Sequence, residues 1–252
     1  MSTPCEAWRP NRSARSAISV ACLCCVTACS DASHRLGGES QTTRPGEALS
    51  VFSCAPGIRL ETIDDMEDGD SSIELSAGRA GFWSAFNDGT GTQIPPMLGE
   101  EFNISELKPP RGASHYAVHT SGQGFTVWGA GIGISLRVKQ PYDASGYAGI
   151  SFWARRGPSS SPSLRLAVPD SQTSPLAGHC ETDSCHDDFG FEFELSEDFD
   201  YYSFTWEQMV ARNWSATYVP SIDASQLYNI QFQVDQFNDF DFWIDDLSFL
   251  CR

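Results

Sequence analysis

The sequence predicts an all-β sandwich, and three observations predict it. Strand-sized apolar or alternating runs recur from about residue 60 onward. Clusters of Gly, Pro, Asn, Asp and Ser separate them, and no stretch carries the longer period of an amphipathic helix. Many short strands with turns between them bury their apolar side chains between two sheets. The roughly 220 residues after the first 28 suit one large domain of this kind, with two small ones as the alternative.

Residues 1–28 read as an export leader. Arg9, Arg12 and Arg15 stand against one acid, Glu6, and the following stretch, Ser16 to Ala28, is uncharged. A basic start, a short apolar middle and a small-residue end make a secretory signal. The stretch is shorter than the ~20 apolar residues that a spanning helix needs. Val26-Thr27-Ala28-Cys29 matches the bacterial lipobox, in which small residues seat the peptidase and the Cys sulfur becomes a thioether to diacylglycerol. Cys29 is therefore the expected lipidation site, with acyl chains of the palmitate type as the only membrane attachment. Ser30 is not the Asp that retains many lipoproteins in the inner membrane, so the expected location is the cell envelope, on the outer membrane. Residues 29–58 are expected to form a flexible tether, because 30–53 hold Gly, Ser, Thr, Pro and mixed charges without an apolar period.

The folded domain is expected over residues 59–252. Its strand-like runs are His115–Thr120, Ile132–Val138, Gly149–Ala154, Leu164–Val168, Phe189–Leu195, Tyr201–Trp206, Tyr228–Asp235 and Phe240–Phe249. In one of them Phe189, Phe191, Phe193 and Leu195 alternate with Gly190, Glu192 and Glu194. In another Tyr228, Ile230, Phe232 and Val234 alternate with Asn229, Gln231 and Gln233. Residues 155–163 read as an exposed hairpin loop, and Trp206–Arg212 has room for a helical turn or two.

The formal charge is −17, and the leader is net positive, so the mature chain is more acidic still. Its only lysines are Lys108 and Lys139. Such a surface repels nucleic acid and anionic headgroups and is compatible with neutral sugars or divalent cations. Besides Cys29, four cysteines follow the leader: Cys54, Cys180, Cys185 and Cys251. In an oxidising compartment an even number suggests disulfides, with three possible pairings. Cys180–Cys185 and Cys54–Cys251 are favoured, the second tying the ends of the domain together. The alternative for the middle pair is a zinc site with His179 and His186.

Two acidic segments bracket the domain, Ile63-Asp64-Asp65-Met66-Glu67-Asp68-Gly69-Asp70 and Phe242-Trp243-Ile244-Asp245-Asp246-Leu247. On adjacent terminal strands they could supply the oxygen ligands that calcium takes. The opening acidic strand, Trp83 and the closing Phe-x-Ile-Asp-Asp strand are similar to the carbohydrate-binding β-jelly-rolls, the family-11 carbohydrate-binding modules and other galactose-binding-like domains among them. Trp83–Thr90, Phe125–Ile132, Tyr142–Trp153 and Cys180–Gly190 also resemble a recurring module of bacterial lipoproteins and glycanase-associated proteins. The resemblance spans roughly residues 60–250 and implies a jelly-roll topology. It also implies one structural calcium ion between the first and last strands, with Glu67 and Asp245 or Asp246 at the matching positions. One departure is Arg212-Asn213-Trp214-Ser215, where the related pattern has Gly-Trp-Gly, so that loop is expected to differ in shape.

Sugars bind through C–H faces stacked on aromatic rings and through hydrogen bonds to amides and carboxylates. Trp128, between glycines near a turn, and Trp214 with Tyr218, in a polar loop, are the expected exposed rings. Asn229, Gln231 and Gln233 are the expected hydrogen-bonding face, since amides in a row resist burial unless paired. Trp153 and Trp243 lie in apolar strands and read as structural. His115 and His119 share a side of one strand but stand about 13 Å apart, and read as ordinary strand residues. No G-x-S-x-G, H-E-x-x-H or P-loop is present, and paired acids alone decide nothing, so no enzyme is expected. The reading is an envelope-anchored, non-catalytic carbohydrate-binding lipoprotein whose partner is a polysaccharide or glycan. The alternative is a surface module that binds an envelope protein without binding sugar.

Overall fold

The computed structural model describes residues 54–57, 59–95, 102–180, 185–215 and 219–252. The leader, Cys29 and Tyr218 lie outside the described residues. Among the described residues twelve strands, numbered along the chain, form two antiparallel sheets. The larger runs β10 (Asp200–Thr205), β7 (Tyr147–Arg156), β12 (Phe240–Cys251), β5 (Ser114–Gln123) and β3 (Thr92–Ile94). Two further strands complete it: β1 (Leu60–Asp64) on β12 and β4 (Ser105–Arg111) on β5. The smaller runs β2 (Trp83–Asn87), β6 (Ala130–Ser135), β11 (Asn229–Val234), β8 (Ser163–Val168) and β9 (Phe189–Glu194). Most neighbours are distant in sequence, as in a jelly roll. Two three-residue 3-10 turns, Pro175–Ala177 and Trp206–Gln208, are the only helical pieces among the described residues.

Alternation decides which side chains enter the core, because successive strand residues face opposite ways. Ile230, Phe232 and Val234 of β11 are buried, as are Ile132 and Ile134 of β6 and Leu164, Leu166 and Val168 of β8. The larger sheet answers with Val118 of β5, Ile150 and Phe152 of β7, and Phe240, Phe242, Ile244 and Phe249 of β12. Phe152 meets Phe232 edge-on at 4.9 Å, a ring contact between the two layers. Truncating a ring so placed costs about 3–5 kcal/mol. Polar groups also cross the sandwich: Trp83 Nε1 donates to the buried Asp64 carboxylate at 2.7 Å.

Both favoured disulfides form, Cys54–Cys251 and Cys180–Cys185, so the middle cysteines are not thiolates for zinc. One expected strand end moves. β6 ends at Ser135 instead of reaching Val138; Leu136 still donates to the Tyr228 carbonyl, but its own carbonyl accepts from Ala80, which bridges Arg137 in parallel. Trp206–Arg212 yields a single 3-10 turn, after which Val210 pairs with Gly190. Trp153 and Trp243 face outward from the larger sheet, half-buried. Arg111 covers the Trp153 ring at 4.7 Å, while Arg155 at 3.8 Å and the His119 ring at 4.0 Å cover Trp243. They are structural, yet cations cover them where a core residue would meet apolar neighbours. His119 belongs to this stack and also bonds Asp241 at 2.6 Å, while His115 is exposed.

Candidate functional site

The outer face of the smaller sheet gathers most of the expected sugar-contacting residues. Register places Phe86, Gly131, Gln233, Arg165 and Glu192 in one row across all five strands. The next row is Ser84, Gly133, Gln231, Ala167 and Gly190, and Asn229 follows opposite Ser135. The floor of the second row therefore carries little beyond one amide side chain.

Glycine makes that floor possible. A Cβ at Gly131 would stand 2.4 Å from the Phe232 carbonyl and 2.7 Å from the Phe86 ring. A Cβ at Gly133 would stand 3.1 Å from Gln231 Cγ and 3.5 Å from the same ring. Phe86 thus lies down across β6, and Trp128 stacks against it at 6.2 Å between centroids. Trp128 is 50 % exposed, so the pair forms an aromatic platform open to solvent.

Asp88 fixes the loop that carries Trp128. Its Oδ2 accepts the backbone N–H groups of Val127, Trp128 and Gly129, each at 2.9 Å. Its Oδ1 accepts from the Thr90 backbone and hydroxyl. Burial opposes ionisation, but the bonds from Thr90, Gly129 and Trp128 hold this carboxyl well below the usual carboxylate range.

Gln233 Nε2 donates to Gln231 Oε1 at 2.8 Å. The amide N–H groups of Gln231 and the carbonyl of Gln233 make no other hydrogen bond among the described residues. Beyond them the face is charged and balanced. Buried Arg165 donates to the carbonyls of Asp188 and Val210 and approaches Glu192 at 3.4 Å. Burial and the Arg212 charge both push the Arg165 guanidinium down. Arg212 pairs with Glu192 at 2.9 Å and grips Asp235 with two bonds. Trp214, two residues on, is 56 % exposed, and the next residue, Ser215, is tied by its N–H to Asp187.

Trp128, Asn229, Gln231 and Gln233 thus share one face, and Trp214 stands on the loop whose Arg212 reaches that face. Sequence reasoning missed Phe86, Asp88, Arg165 and Arg212. The alternation Gly131-Ile132-Gly133-Ile134 was the available signal, since it bares one side of a strand. Shallow concavities of about 320 and 450 Å³ lie elsewhere, at the β3 edge, where Thr92, Gln123 and Asp239 line both.

Two of the carboxylates expected around calcium, Asp245 and Asp246, converge on an arginine. Arg111 Nε donates to Asp245 at 2.9 Å and its Nη2 to Asp246. Ser114 Oγ donates to Asp245 at 2.7 Å, and Glu67 accepts the N–H groups of His115 and Tyr116. Burial pushes the Asp245 carboxyl up against the pull of Ser114 and Arg111. A cation already sits among these oxygens. Among the described residues no group of three or more His, Cys, Asp or Glu is placed to hold a metal ion.

No protein-family model matches the chain, and no curated relative matches it. Solved structures do. A family-11 carbohydrate-binding module from Clostridium thermocellum, in complex with a β-1,3-1,4-mixed-linked tetrasaccharide, superposes with TM-score 0.54 at 13 % identity, covering 77 % of this chain and 96 % of that one. The solution structure of CtCBM11 gives TM-score 0.51 at 12 % identity, covering 79 % and 99 %. The chain therefore has the β-jelly-roll fold of these modules.

Proposed function

We propose that this chain is a non-catalytic carbohydrate-binding module displayed on the cell envelope, and that it binds a linear polysaccharide on the outer face of the smaller sheet. The observation that carries the reading is the Phe86–Trp128 platform beside a glycine-smoothed floor bearing Gln231, Gln233 and Asn229. Sugar rings stack on the platform, and amides read hydroxyls along the floor. Five strands span four spacings of about 4.8 Å, roughly 19 Å, which suits an oligosaccharide rather than a single sugar. The fold shared with a module solved with a tetrasaccharide supports the same reading. Glu192 and Asp235 are both engaged by Arg212, which favours binding over acid–base work.

A glycan array probed with the full chain tests this. A retained linear glycan is expected, and Trp128→Ala or Gln231→Ala should weaken its binding about tenfold or more, a loss of ~1.4 kcal/mol. Absence of any retained glycan, or full affinity in both variants, would overturn it. Attachment through Cys29 belongs to the same proposal and rests on the lipobox. Radiolabelled palmitate should enter the wild type in a bacterial host and fail to enter Cys29→Ser. Equal labelling of the two would remove the anchor. No helix among the described residues is long and apolar enough to cross a membrane.

A further inference from the structure

We infer that Arg111 is a built-in cation that takes over the work of a calcium ion at the junction of the first and last strands. The inference stands apart from the sugar-binding proposal and rests on the closing strand. β12 pairs with β5 through Ile244 and with β1 from Leu247 onward, and the register slips between Asp245 and Ser248. Asp246 occupies the left-handed region there, with φ of 49°. At such a bulge two consecutive side chains can serve one cation, where a regular strand would send them to opposite faces. Asp245 and Asp246 both reach Arg111.

The guanidinium arrives on the β4–β5 hairpin. It comes from the last residue of β4, and Ser114, which donates to the same Asp245 oxygen, opens β5. Glu67, just after β1, accepts the His115 and Tyr116 N–H groups of β5 and lies 3.4 Å from the same Ser114 hydroxyl. One positive group therefore links the hairpin to the closing strand, while Glu67 links it to the opening segment. The ring face of Trp153 beneath the guanidinium at 4.7 Å fixes its plane, leaving its edge for the carboxylates. Asp245 is fully buried, so its charge depends on this partner. Without the arginine, Asp245, Asp246 and Ser114 would leave hard oxygens around a vacated space, the ligand type that calcium selects.

Thermal unfolding of the full chain, with its disulfides intact, decides the matter. The wild-type midpoint should be unmoved by EDTA or by millimolar CaCl2, and calorimetric titration should show no calcium binding. Arg111→Gln should lower the midpoint by roughly 10 °C. Millimolar CaCl2 should restore part of that loss, and NaCl of equal ionic strength should not. Arg111→Lys keeps the charge but cannot span both carboxylates, so it should fall between the two and ignore calcium. A wild type that melts lower after chelation, or that binds calcium stoichiometrically, overturns the inference. So does an Arg111→Gln variant that loses nothing, or that loses stability without gaining a response to calcium. Should Arg111→Gln fail to fold, the wild-type titration and Arg111→Lys decide alone.

Discussion

Two aspartates make opposite use of their surroundings. Asp88 collects hydrogen bonds on both oxygens and is held low, and its role is to aim the Trp128 loop. A depressed folded pKa means that its contribution is present above the unfolded value and is lost as pH falls toward the folded one. In the folded protein Asp88 stays ionised well below the usual carboxylate range, so glycan affinity that depends on Trp128 should stay flat from neutral pH down through about 4. Asp88→Ala should weaken glycan binding as Trp128→Ala does, with a melting point only a few degrees lower. Unchanged affinity in Asp88→Ala would show that the loop needs no clamp. Asp188 is the reverse case. Burial pushes its carboxyl from 3.8 to about 7, against a hydrogen bond from Thr173. Its Oδ1 has no partner among the described residues. The folded state then holds a proton that the unfolded chain releases, so stability falls as pH rises from about 4 to about 7 and is flat above. Asp188→Asn removes that slope. Its melting point relative to wild type should be several degrees more favourable at pH 8 than at pH 5, and a pH-independent gap would reject the assignment.

Strand β6 shows how an element makes a surface. Its inward isoleucines build the core while its outward glycines let Phe86 lie down and Gln231 stand clear. The two glycines are not equivalent. At Gly131 a methyl group meets a backbone carbonyl at 2.4 Å, which cannot move without breaking the ladder. At Gly133 it meets a side-chain carbon at 3.1 Å and a carbonyl at 3.2 Å. Gly131→Ala should therefore cost stability, about 1–3 kcal/mol by overpacking. Gly133→Ala should lower glycan affinity with a smaller change in melting point. Melting curves and binding isotherms on both variants check this, and equal destabilisation would contradict it. Elements such as β9 and β11 were legible in the sequence because alternation is local: Gln231 and Gln233 face outward for the reason that Ile230 and Phe232 face inward. β4 was not legible. Its Pro109 and Pro110 cannot donate to a ladder, and it pairs on one side only, with β5. Trp128 and Trp214 were legible as exposed rings from their polar or glycine neighbours. Phe86 and Arg165 acquire their place only through cross-strand register, and Arg212 through the loop that brings it to Glu192 and Asp235, and no local pattern carries either. The same limit applies to Trp153, covered by Arg111 from the distant β4, and to Trp243, covered by Arg155 from the adjacent β7.

At the scale of the whole molecule, the two disulfides act on very different lengths of chain. Cys54 and Cys251 are 197 residues apart in sequence, yet their Cα atoms lie 5.7 Å apart at the end of the closing strand. The bond therefore joins the segment that enters the domain to the strand at the centre of the larger sheet. Cys180 and Cys185 enclose a loop only 5 residues apart. In the chain-entropy account the cost that a crosslink removes from the unfolded state grows with the logarithm of the loop. The long loop is then worth about 5 kcal/mol and the short one about 2 kcal/mol. For a domain of this size each kcal/mol moves the melting point by roughly 2–4 °C. Replacing Cys54 and Cys251 together by Ser should lower it by roughly 10–20 °C. The same change at Cys180 and Cys185 should cost less than half as much. Glycan affinity measured well below either melting point should survive loss of the long crosslink, because the outer face of the smaller sheet does not touch it. It should be more sensitive to loss of the short one, because the segment after Cys185 leads through Asp187, which ties Ser215, and Asp188, whose carbonyl holds Arg165. Differential scanning calorimetry and one binding isotherm on each double variant separate the two roles. A larger melting shift from the short loop, or a loss of binding confined to the long one, would reverse this division between stability and function.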